Sequence, residues 1–240
     1  MLKLRTYARK VLLLACLCAS LQALEAQGAD AARAHQLAGV YRVLPIGQAV
    51  PDAKRSGGSP AELSLLPFAR TKRTDIEQDE DAFKLCQPVG PFRMMATERL
   101  KIELVTTPEM VVMLFEDISH GNLRTFHLNR PHLKNPEILP QGDSIAHWDG
   151  DTLVVDTASL PDRNWLNDTG ARPSTSTRLI ERIRPIQDGR ILEYTMRVED
   201  PKALAAPYTY MRIFERTDDE IEQDLCEIES HWSCGDLCVK

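Results

Sequence analysis

Residues Gly142–Thr157 read GDSIAHWDGDTLVVDT and decide the fold expected for this chain. Two runs in which apolar and polar residues alternate flank Asp149-Gly150, and an Asp-Gly pair between such runs is a strong signal for a β-hairpin. A turn at that pair places Trp148 opposite Asp151. Because successive side chains of a strand point to opposite faces, this register predicts one face with Ala146, Trp148, Leu153 and Val155, and another with Ile145, His147, Val154 and Asp156.

Period-two alternation continues on both sides of this hairpin and indicates further strands. They are predicted at Leu37–Leu44, Leu100–Thr107, Glu109–Asp117, Leu123–Asn129, Thr177–Gln187, Arg190–Glu199 and Tyr208–Thr217. Consecutive strands joined by short turns indicate an antiparallel up-and-down meander, and closure into a barrel removes the exposed edges of the sheet. The expected fold class is therefore mainly β, a lipocalin-like barrel with a short N-terminal helical segment.

The helical segment is predicted from Ser59-Pro60-Ala61-Glu62. Ser59 is a good N-cap, Pro60 suits the first helical turn, and Glu62 completes a capping box. We expect this helix to run to about Arg70. The acidic run Asp75–Asp81 is predicted to be a solvated helical face rather than a calcium loop.

The first residues predict export. Four basic residues within 1–10 precede the apolar run Val11–Leu24, and small residues suited to cleavage follow. This order is typical of a secretory signal peptide, with cleavage between Ala23 and Ala34. The alternative is a lipoprotein signal with Cys16 as the lipidated residue. The predicted localisation is periplasmic or secreted, with a lipoprotein attached through Cys16 as the alternative.

Composition favours a single globular domain with one core. The chain has 240 residues, 43% of them hydrophobic, which is enough for one full core. We divide it into a signal peptide at 1–34, an N-terminal strand, loop and helical segment at 35–99, a barrel meander at 100–217, and a cysteine-containing tail at 218–240.

The charge of the chain excludes two classes of partner. Loss of residues 1–34 removes five cations and two anions, so the formal net charge changes from −6 to −9. Nucleic acids and anionic membrane surfaces require a basic footprint, which an acidic domain lacks. The apolar run at 11–24 is also short for a bilayer span, so no membrane span is predicted.

Four cysteines remain after the predicted cleavage, at 86, 226, 234 and 238. An even count in an exported protein predicts two disulfides, and the residues alone leave all three connectivities open. The alternative is a metal cluster formed by His231, Cys234 and Cys238. Its spacing differs from that of common zinc sites, and an oxidising compartment favours disulfides, so no metal is predicted.

The sequence contains no linear catalytic or cofactor motif. A nucleophile elbow, a His-Glu-x-x-His helix, a phosphate loop and a dinucleotide fingerprint are all missing, so no cofactor is predicted. Four of the six histidines nevertheless fall between Glu116 and Asp151. This span also contains the acidic and basic residues Arg124, Arg130, Asp143 and Asp149.

This polar span motivates a catalytic hypothesis. Histidine titrates near neutrality, a carboxylate can orient it, and arginine stabilises a developing anion. We therefore assign proton transfer to His132 and His147, the role of orienting carboxylate or base to Asp143, and anion binding to Arg124 and Arg130. The reaction would be cofactor-independent acid–base chemistry, of the lyase, isomerase or hydrolase type, on a small apolar or aromatic molecule.

Two non-catalytic hypotheses stay open beside it. A barrel of about eight strands is wide enough to hold one small ligand, so the chain could be a binding or carrier protein for a small hydrophobic molecule. A structural envelope protein would need no ligand at all. Within the catalytic hypothesis, Arg124 and His127 lie on opposite faces of one strand, so at most one of them points into the barrel.

Several motifs resemble a family of uncharacterised exported bacterial lipocalin-like proteins. They are R-x-F-x-x-x-R-P-H at 124–132, GDSIAHWDGDTLVVDT at 142–157, ERIRPI at 181–186, VEDP at 198–201 and the late Cys226. The W-x-G-D-T-L-V-V-D-T core is the most specific of them. The resemblance implies a secreted, lipocalin-like barrel but no particular activity. It also implies that Cys86 pairs with Cys226, which leaves Cys234 and Cys238 for each other.

The chain departs from this family's pattern near the predicted site. Leu128 and Asn129 replace an Asp-Gly pair, Asp143 replaces a histidine, and His147 replaces an arginine. The matching motif residues Arg124, Arg130 and His132 are present. A polar loop that exchanges one histidine for aspartate and gains another histidine nearby indicates retuning toward a different substrate.

Overall fold

The structure is a computed structural model that describes residues 28, 30, 32–54, 63–69, 82, 85–97, 101–116, 123–167 and 170–222. Nine strands lie within these residues, and each one overlaps a strand predicted from the alternation. They are β1 Gly39–Val43, β2 Lys101–Thr106, β3 Met110–Phe115, β4 Leu123–Leu128, β5 Asp143–Asp149, β6 Thr152–Ala158, β7 Arg178–Ile186, β8 Ile191–Glu199 and β9 Tyr208–Thr217.

The nine strands form one closed barrel in sequence order, with β9 paired to β1. The predicted lipocalin-like closure is confirmed. An antiparallel pairing reverses the strand direction, so a ring of nine strands cannot be antiparallel throughout. One pairing must be parallel, and it is the pairing of β4 with β5.

The parallel pairing corrects the prediction of an uninterrupted antiparallel meander. Residues 129–142, here called the crossover loop, run from the end of β4 back to the opposite end of the barrel, where β5 begins. Parallel neighbours need a connection of about a dozen residues or more, and this loop has that length. Alternation reveals which face a side chain occupies but not which way the strand runs.

The register of the central hairpin also differs from the predicted one. Trp148 pairs with Leu153 rather than with Asp151, and Asp149 pairs with Thr152, so the turn residues are Gly150 and Asp151. Gly150 has φ +63°, which suits glycine at the first central position of a tight hairpin turn. The shift is by two residues, so the two predicted faces are unchanged.

The helical content is small. Residues 32–37 and 67–69 are helical, and Pro91–Met94 forms a single turn that we call the plug helix. The helix predicted from Ser59 to Arg70 is wrong at residues 63–66, where Leu65 forms a β-bridge with Leu204, and only residues 67–69 of its described part are helical. Pro67 disfavours helix at the residue before it, and the backbone N–H of Leu66 donates to Ala203 O.

The inner face of the barrel is mostly apolar and forms the main core. Every second residue of each strand points inward, as the alternation predicted. The fully enclosed apolar side chains include Tyr41, Ile102, Leu104, Met113, Phe115, Phe126, Leu153, Val155, Leu179, Tyr194, Met196 and Phe214.

The plug helix closes one mouth of the barrel. Its residues Phe92 and Met94 are buried in the main core. Two inward-facing residues of β9 hold it: the Tyr210 hydroxyl donates to Phe92 O at 3.1 Å, and Arg212 Nε donates to Met95 O at 3.3 Å. Arg212 Nη2 also donates to the carbonyl oxygen of Ala96.

Residues 32–38 cover the other mouth in a similar way. Arg216, again on the inner face of β9, donates from Nη1 to Ala38 O at 2.5 Å and from Nη2 to Gln36 O at 3.0 Å. Its Nε donates to Gly189 O in the β7–β8 turn at 3.0 Å. Strand β9 therefore supplies both arginines, one for the segment that covers each mouth of the barrel.

Several predictions lie outside the described residues. They concern the predicted signal peptide apart from residues 28, 30 and 32–34, the acidic run Asp75–Asp81, and the tail with His231, Cys234 and Cys238. Cys86 is among the described residues and is buried. Its predicted partner Cys226 lies outside the described residues, so this disulfide pairing stays a prediction. Among the residues that are described, no helix combines the length and apolar character needed to cross a membrane.

Candidate functional site

A buried ion pair crosses the interior of the barrel. Arg124 on β4 and Glu181 on β7 both point inward, and their exposed fractions are 1% and 0%. Arg124 Nη1 donates to Glu181 Oε1 at 2.7 Å, and Nη2 donates to Oε2 at 2.5 Å. This two-point geometry is the strongest form of an arginine–carboxylate contact. The guanidinium also lies 4.9 Å from the ring centroid of Phe126.

Three hydroxyl groups complete this inner network. The Tyr194 hydroxyl donates to Glu181 Oε1 at 2.5 Å, and the Thr157 hydroxyl lies 3.4 Å from Oε2. Thr157 also accepts from Arg124 Nη2 at 3.2 Å and shares a 2.7 Å hydrogen bond with Ser144. We call Arg124, Ser144, Thr157, Glu181 and Tyr194 the inner network. Its carboxylate is fully surrounded by donors, as a buried charge requires.

Burial controls the ionisation of the groups around this network. It raises the pKa of Tyr194 well above 10, and the negative charge of Glu181 adds to the effect. The pKa of Tyr210 is raised for the same two reasons. Burial alone would lower the pKa of Arg124, but Glu181 outweighs it and the pKa is raised. The network is therefore a charged pair among neutral phenols.

Two inward-facing N–H groups are buried without a hydrogen-bond acceptor among the described residues. One is Arg124 Nε, and the other is the indole Nε1 of Trp148 on β5. Buried polar groups in native proteins are almost always paired. An unpaired N–H costs roughly 1–3 kcal/mol, so these two donors call for an acceptor.

A second polar cluster lies on the outer face of the barrel, where the crossover loop returns to β5. Asp143 Oδ2 accepts from the backbone N–H of Leu133 at 3.1 Å and is 2.8 Å from His132 Nδ1. Asp143 Oδ1 accepts from Arg130 Nη2 at 2.7 Å. One buried carboxylate thus holds three groups of the loop.

Neighbouring strands extend this cluster. His132 Nε2 is 3.6 Å from Asp156 Oδ1 on β6, and Asp156 in turn accepts from Arg178 Nε on β7 at 2.7 Å. We call Arg130, His132, Asp143, Asp156 and Arg178 the outer latch. An arginine contacts each of the two carboxylates, and the imidazole of His132 lies between the carboxylates.

These contacts lower the pKa values of both latch carboxyls. Burial alone would raise the pKa of Asp143, but hydrogen bonds from His132, Leu133 and Arg130 outweigh it. Arg178, followed by His132, has the same net effect on Asp156. The pKa of His127, on the outer side of β4, is lowered by burial and by the charge of Arg130. The latch therefore keeps its carboxylates ionised at neutral pH.

The five residues predicted to form one catalytic site occupy three places. Arg130, His132 and Asp143 do meet in the outer latch. Arg124 is inside the barrel, whereas His127 lies on the opposite face of the same strand, as predicted. His147 is exposed on the outer face of β5, and no described residue forms a hydrogen bond or ion pair with its imidazole.

The geometry of His132 suits a structural role. Its Nδ1 contacts Asp143, and its Nε2 is shielded from solvent although no described hydrogen bond engages it. A general base must reach the proton that it removes, and neither ring nitrogen is open to a substrate. The contacts of His132 fasten the crossover loop to the barrel wall.

Sequence reasoning missed the inward residues that complete the interior, namely Glu181, Tyr194, Arg212 and Arg216. A usable signal exists for the last two, since Tyr208, Tyr210, Arg212, Phe214 and Arg216 alternate along one strand. Nothing in the sequence pairs Glu181 with Arg124, which is 57 residues away. Among the described residues, no group of three or more histidine, cysteine or acidic side chains is placed to hold a metal ion.

Comparisons with known proteins give only distant likenesses. No family model and no curated protein matches the chain. It is similar to the solved structure of a REP1-NXSQ fatty acid transporter, with 12% identity and a TM-score of 0.39 over 78% of this chain and 99% of the other. A tyrosine-to-phenylalanine mutant of that transporter gives 10% identity and a TM-score of 0.37, over 76% and 99%. Likenesses at this level say nothing about ligand or activity.

Proposed function

We propose that this chain is an exported binding protein that holds a small, mainly apolar molecule inside its barrel. Export is supported by the basic start and the apolar run Val11–Leu24. An apolar ligand is supported by the inner face, whose enclosed side chains are mostly hydrophobic. Small-molecule sites commonly combine such a lining with a few polar groups that fix orientation.

The observation that carries this proposal is the pair of unpaired inward donors. Arg124 Nε and Trp148 Nε1 are buried, face the barrel interior, and have no acceptor among the described residues. A ligand oxygen would give either of them a partner. The gain is a hydrogen bond that no described residue supplies, and it would orient an otherwise apolar molecule.

The closed mouths support the same function. Arg212 fastens the plug helix, and Arg216 fastens residues 32–38 over the opposite mouth. Both contacts are hydrogen bonds to backbone carbonyls. Exclusion of water strengthens each polar contact that a ligand makes in the interior.

The test is a binding screen with matched tryptophan variants. Signal-free protein is incubated with a panel of small aromatic and apolar compounds, and native mass spectrometry detects retained ligands. We expect at least one compound to be retained unchanged in mass. Trp148→Phe keeps an aromatic ring but removes the inward N–H, so affinity for a ligand with an oxygen acceptor should fall about fivefold.

Trp165→Phe is the matched control. Trp165 is a buried tryptophan in the β6–β7 connection rather than in a barrel strand, and its ring centroid lies 5.3 Å from the guanidinium of Arg93 in the plug helix, a contact that the phenyl ring of the variant can keep. Its replacement should leave affinity within about twofold. Retention of no compound by the unmodified protein would overturn the proposal.

The catalytic hypothesis has no comparable support. Its five residues are divided between the interior, the latch and the exposed face of β5, and His132 has no open ring nitrogen. The screen also tests this hypothesis, because catalytic conversion of a panel compound would establish an enzyme.

A further inference from the structure

The inner face of the barrel carries unbalanced positive charge. Its charged residues in the described strands are Arg124, Arg212 and Arg216 against one carboxylate, Glu181, so the sum is positive. Arginine stays protonated in proteins. Buried charges are normally paired with opposite charge because removal from water is costly.

Arg212 is the inward-facing arginine for which the described residues supply no buried counter-charge. Glu181 is engaged by Arg124 through both oxygens, and Arg216 is only half-buried beneath the residues that cover its mouth. Arg212 is only 2% exposed. Its hydrogen bonds go to the carbonyl oxygens of Met95 and Ala96, and no described carboxylate lies within ion-pair distance of it.

The surroundings of Arg212 are those of a head-group site. Arg212 on β9 is paired with Tyr194 on the neighbouring strand β8. The inward-facing residues before and after Arg212 on β9 are Tyr210 and Phe214. These rings form an apolar wall, while the Tyr210 hydroxyl is held by Phe92 O. An anion placed beside Arg212 would balance the charge, and its apolar tail would contact the enclosed core.

We propose that the ligand of this barrel is an apolar carboxylic acid bound as its anion, and that Arg212 is the residue that pairs with the carboxylate. This inference rests on the proposed binding function and narrows its ligand class. A neutral ester or alcohol of the same length would fill the same apolar space but leave the charge of Arg212 unbalanced. The acid should therefore bind more tightly than its ester.

The test compares dodecanoate with methyl dodecanoate at about pH 7.5, where the acid is ionised. Isothermal titration calorimetry is run on the unmodified protein and on two variants, Arg212→Lys and Arg212→Gln. Lysine keeps the charge, whereas glutamine keeps a hydrogen-bond donor without it. We expect Arg212→Gln to weaken dodecanoate binding at least about tenfold and Arg212→Lys to weaken it less than about fivefold. Loss of the contacts to the plug helix would weaken acid and ester binding alike, so the readout is the ratio of acid affinity to ester affinity. This ratio should fall in Arg212→Gln and be largely kept in Arg212→Lys.

The outcomes separate this inference from the function on which it rests. Ester binding that equals or exceeds acid binding in the unmodified protein overturns the inference and leaves the binding function intact. Equal losses of acid binding in the two variants also overturn it, because Arg212 would then act only by holding the plug helix. Absence of binding by both compounds and by the whole screening panel overturns the binding function as well.

Discussion

The inner network and the outer latch are built from the same contact, an arginine on a carboxylate, in opposite surroundings. Glu181 is fully enclosed and meets its partners inside an apolar barrel, whereas Arg178 of the latch is half exposed. Exposed ion pairs contribute little to stability, whereas removal of one partner from a buried pair is strongly destabilising. The same chemistry therefore makes the interior intolerant of single changes and the latch adjustable.

The largest expected effect is in the interior and tests this intolerance. Glu181→Leu leaves the guanidinium of Arg124 buried without its partner, so the free energy of unfolding should fall by about 3–5 kcal/mol. Adding Arg124→Met removes the orphaned charge and should restore stability to within about 2 kcal/mol of the original. Urea denaturation measures both. A double variant as unstable as the single one would refute the argument from burial.

A smaller effect is expected for Asp143→Asn in the outer latch. The change weakens three contacts, to Arg130, His132 and Leu133, and should cost about 2 kcal/mol. The pKa of Asp143 lies below its ordinary value of 3.8, so its contribution is present above that pH and lost as pH falls through the lowered value. Stability of the unmodified protein should therefore drop from about pH 5 to about pH 3, and less steeply in the variant. Parallel curves for the two proteins would contradict this assignment.

The interior should respond at the opposite end of the pH scale. The pKa of Tyr194 is raised well above 10, so its stabilising contribution is full below that pH and is lost as pH rises above it. Each such group lowers the unfolding free energy by up to about 1.4 kcal/mol per pH unit in that range. Tyr194→Phe should make the alkaline decline shallower. The check is a series of urea curves above about pH 9.5, and an unchanged slope would count against it.

The smallest effect is expected for His147→Ala. This side chain is exposed on the outer face of β5, so the free energy of unfolding should change by less than about 0.5 kcal/mol. Ligand affinity should also stay the same. A large loss in either measurement would show that His147 takes part in a site that its surroundings do not reveal.

Alternation along the chain was enough to predict every strand of the barrel. It placed Arg124 and His127 on opposite faces of β4. It also gave the correct faces of the central hairpin, although the turn lies one residue later than predicted. It carried no information about strand direction, so the parallel pairing was not predicted. Local sequence specifies which face of the sheet a side chain occupies, whereas the relative direction of two neighbouring strands is a property of the closed sheet.

The candidate site was less predictable because its contacts join distant strands. The motif R-x-F-x-x-x-R-P-H groups Arg124 with Arg130 and His132. However, β4 ends between them, so Arg124 points into the barrel while Arg130 and His132 belong to the outer latch. Proximity in sequence therefore suggested one site where there are two. The partner of Arg124 on β7 becomes adjacent only when the barrel closes.

The parallel pairing of β4 with β5 has a consequence for the order in which the barrel assembles. Strands β5 to β9 are joined in sequence by antiparallel pairings, so they have short-range contacts that form quickly. The β4–β5 contact covers only Phe126–Leu128 against Ser144–Ala146 and must wait for the crossover loop. Amide hydrogens along this short ladder should exchange with solvent before those of β7 and β8, which marks it as the place where the native barrel first opens.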